Sequence, residues 1–174
     1  AGPSQYAGAE CNPYFFNVAW QNDNLHEAVG QTVQEKGFKK VALLAPNYPA
    51  GKDALTGFKR FYQGTIVSEE YTPLSQLDYG AELSKMRASG ADAVYIFLPG
   101  GLGVNFIKQF VGAGLSKDMT LFGPGFSADE DVIRAVGDPM LGMFNTSQWA
   151  HDMSNPANKR FVDDFQKEYG RLPT

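Results

Sequence analysis

Ala91-Asp-Ala-Val-Tyr-Ile-Phe-Leu-Pro-Gly-Gly-Leu-Gly-Val-Asn-Phe-Ile-Lys-Gln-Phe-Val-Gly-Ala-Gly-Leu115 is the stretch whose reading decides the fold. Its first part, 94–98, is a continuous apolar run set between Asp92 and Pro99-Gly100-Gly101, the pattern of a strand covered on both faces. After the glycines, Val104, Phe106, Ile107, Phe110 and Val111 return at helical steps, which predicts a helix that ends at Gly112 to Gly114. The unit is β-loop-α, and a strand covered on both faces requires helices on both sides of its sheet.

The same grammar extends outward. Downstream, 119–122 reads as a short strand running into Gly123-Pro-Gly-Phe126, and Ser127 is the expected cap of a helix over 129–136 with Asp129 and Glu130 in its first turn. A further strand is predicted over 141–147, ending at Gln148-Trp149, and Pro156 opens a helix over 157–169 that Gly170 stops. Upstream, 65–71 alternates as a strand near an edge, 79–88 reads as a helix with Leu83 and Met86 inward, and Val41-Ala-Leu-Leu-Ala45 is a strand followed by a helix over 52–62. Asp23 or Asn24 is the candidate cap of a helix carrying Leu25, Ala28, Val29 and Val33 and ending at Gly37. The first dozen residues read as irregular and 15–20 as a strand or crossing segment.

This order predicts an α/β fold: a three-layer, Rossmann-like (flavodoxin-like) lobe with a mostly parallel sheet. In such sheets ligands sit outside the carboxyl ends of the strands, so the candidate site residues follow the apolar runs. At 174 residues the chain fits one domain, and its formal charge of -4, without a basic stripe, gives no footprint for nucleic acid or an anionic membrane. No apolar run approaches the roughly 18 residues of a membrane span, and no charged leader precedes an apolar core. The sequence begins at Ala1 rather than Met, as a processed protein and an excised fragment both would. Cys11 is the one cysteine, which excludes an internal disulfide or a cysteine-based metal site; it is expected as a buried thiol or as the partner of a cysteine elsewhere.

Several stretches imitate catalytic or cofactor motifs. Gly101-Leu-Gly-Val-Asn-Phe106 follows a strand and opens a helix like a dinucleotide fingerprint, but it lacks the third glycine and the next strand ends in Gly123-Pro-Gly rather than an acidic residue. A tight turn presenting backbone N-H groups accounts for it. Pro46-Asn-Tyr-Pro-Ala-Gly-Lys-Asp53 places Pro46 where a phosphate loop needs its first glycine and Asp53 where it needs a magnesium-binding hydroxyl, so that reading fails. His26 and His151 belong to no ligand pattern and are expected at the surface or at caps; Ser127 lacks the nucleophile-elbow context; Asp129, Glu130 and Asp131 suit a helix start. No catalytic residue, metal or cofactor is expected. What stands out is the aromatic content after the strands: Trp20, Tyr48, Phe97, Phe126 and Trp149 all fall at or just past strand ends, as either a pocket for a flat small molecule or packing at a lobe interface.

Tyr48-Pro-Ala-Gly51, Tyr95-Ile-Phe-Leu-Pro-Gly-Gly101, Ile107-Lys-Gln109, Gly114-Leu115, Phe122-Gly-Pro-Gly-Phe126, Asn155-Pro-Ala and Tyr169-Gly-Arg-Leu-Pro173 together resemble the type I periplasmic solute-binding proteins, and more narrowly the leucine/isoleucine/valine-binding type that feeds ABC importers. The resemblance covers nearly the whole chain and rests on the order and spacing of soft motifs. It implies one half of a two-lobed fold, the second lobe, with 1–20 as a hinge-crossing approach and 21–174 as a single ligand-binding lobe, the other lobe being absent from the sequence. It also implies hinge closure on a small molecule, a membrane permease as partner, and a periplasmic or lipid-anchored extracellular location.

Carried over by position, Tyr48 matches a ligand-facing tyrosine, Leu98-Pro99-Gly100 stands where amino-acid binders have an aromatic contact, and Gly125-Phe126 stands where they place a glutamate for the ligand's ammonium. The absence of a carboxylate there disfavours α-amino acids, whose ammonium would be buried unpaired. The sequence is similar to members that bind benzoate-like aromatic acids. The expected ligand-binding set is Tyr48, Phe97, Pro99, Gly100, Gly125, Phe126, Trp149 and Trp20, and the expected ligand an aromatic carboxylate. The alternatives are an amino acid, with Asp78 or Asp129 serving its ammonium, a nucleotide- or flavin-binding enzyme domain, and a sensory receptor domain. A lone lobe is also expected to self-associate through its open pocket face.

Overall fold

Two runs, Lys40–Pro46 (β1), apolar throughout after its exposed Lys40, and Ala93–Ile96 (β3), apolar at every position, lie side by side at the middle of the sheet in a computed structural model describing residues 2–173. Thr65–Thr72 (β2), Thr120–Pro124 (β4) and Phe144–Thr146 (β5) complete five strands in the order β2-β1-β3-β4-β5, with every pairing parallel. The alternating, half-exposed β2 forms an edge, as its pattern predicts. At the other edge, β5 is three residues rather than the expected 141–147: Leu141 and Gly142 lie in an exposed turn with φ +88° at Gly142.

Helices Asp23–Glu35 (α1) and Pro49–Phe61 (α2) cover one face. Gly80–Ser89 (α3), Gly101–Gly112 (α4) and Glu130–Val136 (α5) cover the other, and Pro156–Tyr169 (α6) closes the chain. The pleat of the central strands sorts the core into two layers. Leu43, Ala45, Tyr95 and Phe97 pack with Val29, Val33, Leu55 and Phe58 beneath α1 and α2. Leu44, Val94, Ile96 and Leu98 pack with Leu83, Met86, Phe106, Ile107 and Phe110 on the opposite side. This is the doubly covered α/β lobe expected from the sequence.

Four local expectations are corrected. Residues 15–20 form no strand: apart from one bridge between Gly2 and Gln21 the segment is irregular, and Phe16 and Val18 stand in solvent with no neighbouring strand to pair with. Cys11, a few residues before that segment, is exposed rather than buried. Asp129, not Ser127, caps α5, accepting from Val132 N at 2.9 Å, because Ser127 is drawn into the core as part of a short 3-10 turn at Gly125–Ser127. Neither Asp23 nor Asn24 caps α1; the N-cap position is Asn22, and no side chain there bonds the helix. Ala1 and Thr174, the outermost positions of the two expected segments, lie outside the described residues.

Candidate functional site

The strand order places a switch point between β1 and β3, from which the chain departs to opposite sides of the sheet, and loops diverging there leave a crevice at the strands' carboxyl ends. The residues that emerge are aromatic. Tyr48, after β1, stacks on Phe97, after β3, with ring centroids 6.1 Å apart and planes inclined by 18°. Phe97 N donates to Leu44 O at 2.9 Å, so the ring leaves from a backbone still tied to the sheet. Phe126, after β4, meets Phe97 edge-on at 5.6 Å. Partial burial raises the pKa of the Tyr48 phenol above its ordinary value, so its hydroxyl remains a donor at neutral pH.

The fourth wall comes from α1. Gly30 and Gly57 let α1 and α2 cross in close contact: a Cβ on Gly30 would lie 2.2 Å from Phe58 O, and one on Gly57 2.9 Å from Asp23 O. That crossing lowers the first turn of α1 onto the strand ends. His26 is buried there, 3% exposed, with Nδ1 2.5 Å from the hydroxyl of the fully buried Tyr95. Its ring stands edge-on to Phe97 at 5.1 Å and to Phe126 at 6.3 Å. Burial lowers the His26 pKa to about 4, partly opposed by the nearby Asp23 carboxylate, so the ring is neutral at physiological pH. Asp23 is itself buried, with Oδ2 receiving Arg60 Nη1 at 2.5 Å, and Arg60 also reaches Glu27 at 2.7 Å.

Two adjoining clefts share Trp20 and Phe126. The smaller, about 210 Å³, is lined by Trp20, Asn22, Leu25, His26, Ala50, Phe97 and Phe126. The larger, about 520 Å³, runs past Gly125, Asn145, Ser147 and Trp149, with Asp129, Glu130 and Asp152 along it. Trp149 is fixed in its wall. Its Nε1 donates to Asn158 Oδ1 at 2.6 Å, while the Asn158 amide donates to Ala150 O, His151 O and Met153 O, so one buried side chain on α6 holds the loop after β5.

Of the residues expected from the sequence, Trp20, Phe97 and Phe126 come together in the smaller cleft and Gly125 and Trp149 line the larger. Tyr48 lines neither but backs Phe97. Pro99 and Gly100 line neither cleft: Gly100 turns the chain into α4 with φ +57° and is exposed. Asp78 also lies elsewhere, accepting from Gly80 N ahead of α3. The residue that sequence reasoning missed is His26, expected at the surface or at a cap. A signal existed, because His26, Val29, Gly30 and Val33 share one helical face. Its partner Tyr95, 69 residues away, gave no local cue.

Among the described residues no cluster of His, Cys, Asp and Glu is arranged to hold a metal ion, and no helix is long and apolar enough to cross a membrane. A parallel α/β lobe whose strand ends open into an aromatic crevice has the form of a solute-binding lobe. The chain belongs to the periplasmic binding protein family, whose model matches residues 1–174. It is 30% identical over 164 residues to the Leu/Ile/Val-binding protein homolog 6 of Brucella melitensis, covering 91% of this chain and 42% of that protein. It thus spans less than half the length of that curated relative. Among solved structures it is similar to an ABC transporter solute-binding protein from R. palustris in complex with benzoate, at 28% identity and a TM-score of 0.89 over 99% of this chain and 48% of that one. A second, from Rhodopseudomonas palustris BisB5 in complex with 3,4-dihydroxy benzoic acid, is 34% identical with a TM-score of 0.81, over 94% and 46% of the two chains. The fold is therefore that of one lobe of a type I periplasmic binding protein.

Proposed function

We propose that this lobe belongs to the solute-binding component of an ABC importer and that it captures a benzoate-like aromatic acid, held as a second lobe closes over the strand ends by hinge motion. The observation that carries the reading is the smaller cleft: rings from four directions, Trp20, His26, Phe97 and Phe126, enclose it, and among the described residues no carboxylate lines it. A flat apolar ring gains edge and face contacts there, whereas an ammonium would be desolvated without a partner. In this reading Phe97 and Phe126 pack on the ring, Trp20 lines the hinge side, Gly125 and Trp149 form the outer wall, and Tyr48 supports Phe97 from behind. Pro99 and Gly100 act only by turning the chain after β3. Residues 1–20 serve as the approach from the hinge and 21–174 as the binding lobe, with delivery to a membrane permease from the periplasm. The benzoate and dihydroxybenzoate complexes of similar proteins support the ligand class.

A second reading, capture of an amino acid, is favoured by Asp129, Glu130 and Asp152 along the larger cleft and by the name of the Brucella relative. The two separate in one experiment: thermal unfolding of the two-lobe protein against benzoate, hydroxybenzoates, leucine and valine. A ligand present at a hundred times its dissociation constant stabilises the folded state by about 2.7 kcal/mol. Stabilisation by the aromatic acids alone is the expected result; stabilisation by leucine or valine alone transfers the site to the acidic cleft.

A further inference from the structure

We propose that His26 is a specificity-determining residue of this site, presenting a fixed, neutral Nε2-H to the aromatic cleft that selects ring-hydroxylated aromatic acids over unsubstituted benzoate. The inference rests on the aromatic-acid reading above and names the ligand within that class.

The tautomer follows from donor and acceptor bookkeeping. Tyr95 is fully buried, and burial raises its pKa well above the ordinary value, so its oxygen keeps a proton that needs an acceptor. Among the described residues the partner of that hydroxyl is His26 Nδ1, at 2.5 Å. Tyr95 therefore donates, Nδ1 accepts, and the proton of the neutral imidazole resides on Nε2. Nε2 has no hydrogen-bond partner among the described residues, yet it is not among the sealed, unpaired buried atoms, so it opens on the small cleft that His26 lines. The closed Tyr95 pair fixes the ring from behind and its edge-on contacts with Phe97 and Phe126 fix it from the sides.

The cleft's charge decides which ligand group that donor receives. Asp23 acts on His26 across the first turn of α1, and Glu27 follows on the same helix, both paired with Arg60 of α2. A ligand carboxylate at Nε2 would find one neutral donor, apolar rings and a carboxylate nearby, a costly position for an anion. A phenolic hydroxyl is neutral and accepts one hydrogen bond. It also has a proton to give: Asn22, which lines the same cleft, uses Nδ2 on Asp53 Oδ2 at 3.2 Å, and its Oδ1 has no partner among the described residues. The ligand is thus oriented with a ring hydroxyl toward α1 and its carboxylate away from it.

The test is calorimetric titration of the two-lobe protein with benzoate, 4-hydroxybenzoate and 3,4-dihydroxybenzoate, for the wild type and for His26→Phe, His26→Gln and the double variant His26→Phe/Tyr95→Phe, which leaves no orphaned phenol. The wild type is expected to bind at least one hydroxylated acid about tenfold more tightly than benzoate, the scale of one well-placed hydrogen bond. That ratio should fall toward one in both phenylalanine variants and recover in part with Gln, which keeps an N-H. A wild type that binds benzoate as tightly as both hydroxylated acids, or a ratio that persists in the double variant, overturns the role of His26 while leaving the aromatic-acid reading intact. Binding of leucine with no response to any benzoate overturns the reading itself. Should the variants not fold, imidazole ¹⁵N spectra of the wild type decide: an Nε2-H tautomer whose Nε2 resonance moves with 4-hydroxybenzoate supports the assignment, and an unmoved resonance or an Nδ1-H tautomer overturns it.

Discussion

At residue scale, His26 ties binding to stability. Its pKa is about 4 in the folded protein and 6.5 in an unfolded chain, so the unfolded state takes up a proton first as pH falls. The stability this contributes is fully present above pH 6.5 and is lost progressively down to about pH 4, amounting to about 3 kcal/mol. Urea unfolding across that window should show the slope in the wild type and lose it in His26→Phe/Tyr95→Phe; equal slopes would mean that another group is responsible. Removing ring area from the cleft acts on affinity instead. Phe126→Ala should weaken aromatic-acid binding about tenfold through lost packing, and Tyr48→Ala several-fold by withdrawing the ring that backs Phe97. Unchanged dissociation constants in both would remove this site. Tyr48, Phe97 and Phe126 were legible as site candidates because each follows an apolar run. His26 was not, because its environment is made by Tyr95 from a strand far along the chain, and a lone histidine in a polar helix start looks solvated.

The elements were largely readable because each carries one dominant period: continuous apolar runs in β1 and β3, alternation in β2, and three-to-four spacing in α1, α4 and α6. The exceptions have local causes. The apolar content of 15–20 predicts a strand or crossing segment, yet a strand needs an edge to pair with, and the described residues offer only a single bridge. Ser127 and Asp129 both suit a cap, and the burial of the Gly125–Ser127 turn left the position to Asp129. Two contacts between elements hold the site. Gly30→Ala would place its Cβ against the Phe58 carbonyl, which backbone cannot yield; forcing α1 from α2 should cost about 1–3 kcal/mol, seen as a lower denaturation midpoint, and lift His26 from Tyr95. Asn158→Ala should cost about 1–3 kcal/mol, leaving the Trp149 indole and a set of loop carbonyls unpaired. Amide exchange over 147–153 should accelerate more than exchange in β1 or β3; uniform exchange would show that Asn158 does not hold this loop.

Across the whole molecule, several large apolar side chains stand uncovered. Phe16 and Val18 in the first segment, and Phe161 and Tyr169 on α6, are each at least half exposed. Large apolar exposure of this kind marks surfaces made to be covered. The isolated lobe is accordingly expected to self-associate, and light scattering coupled to size exclusion checks it: a monomer at high concentration would count against an unsatisfied face. The sequence made the lobe recognisable through motifs spread over nearly its full length, but it could not show how the rings at the strand ends are grouped, since that depends on which faces the pleat and the helix crossing bring together. The placement of Trp149 and Trp20 has an optical consequence. They are the protein's two tryptophans, and both line the larger cleft, whereas the eight tyrosines are scattered through the structure. Light absorbed by indole alone therefore interrogates the rim and little else, so the emission colour and quenching of the native lobe record what reaches the strand ends without any attached dye.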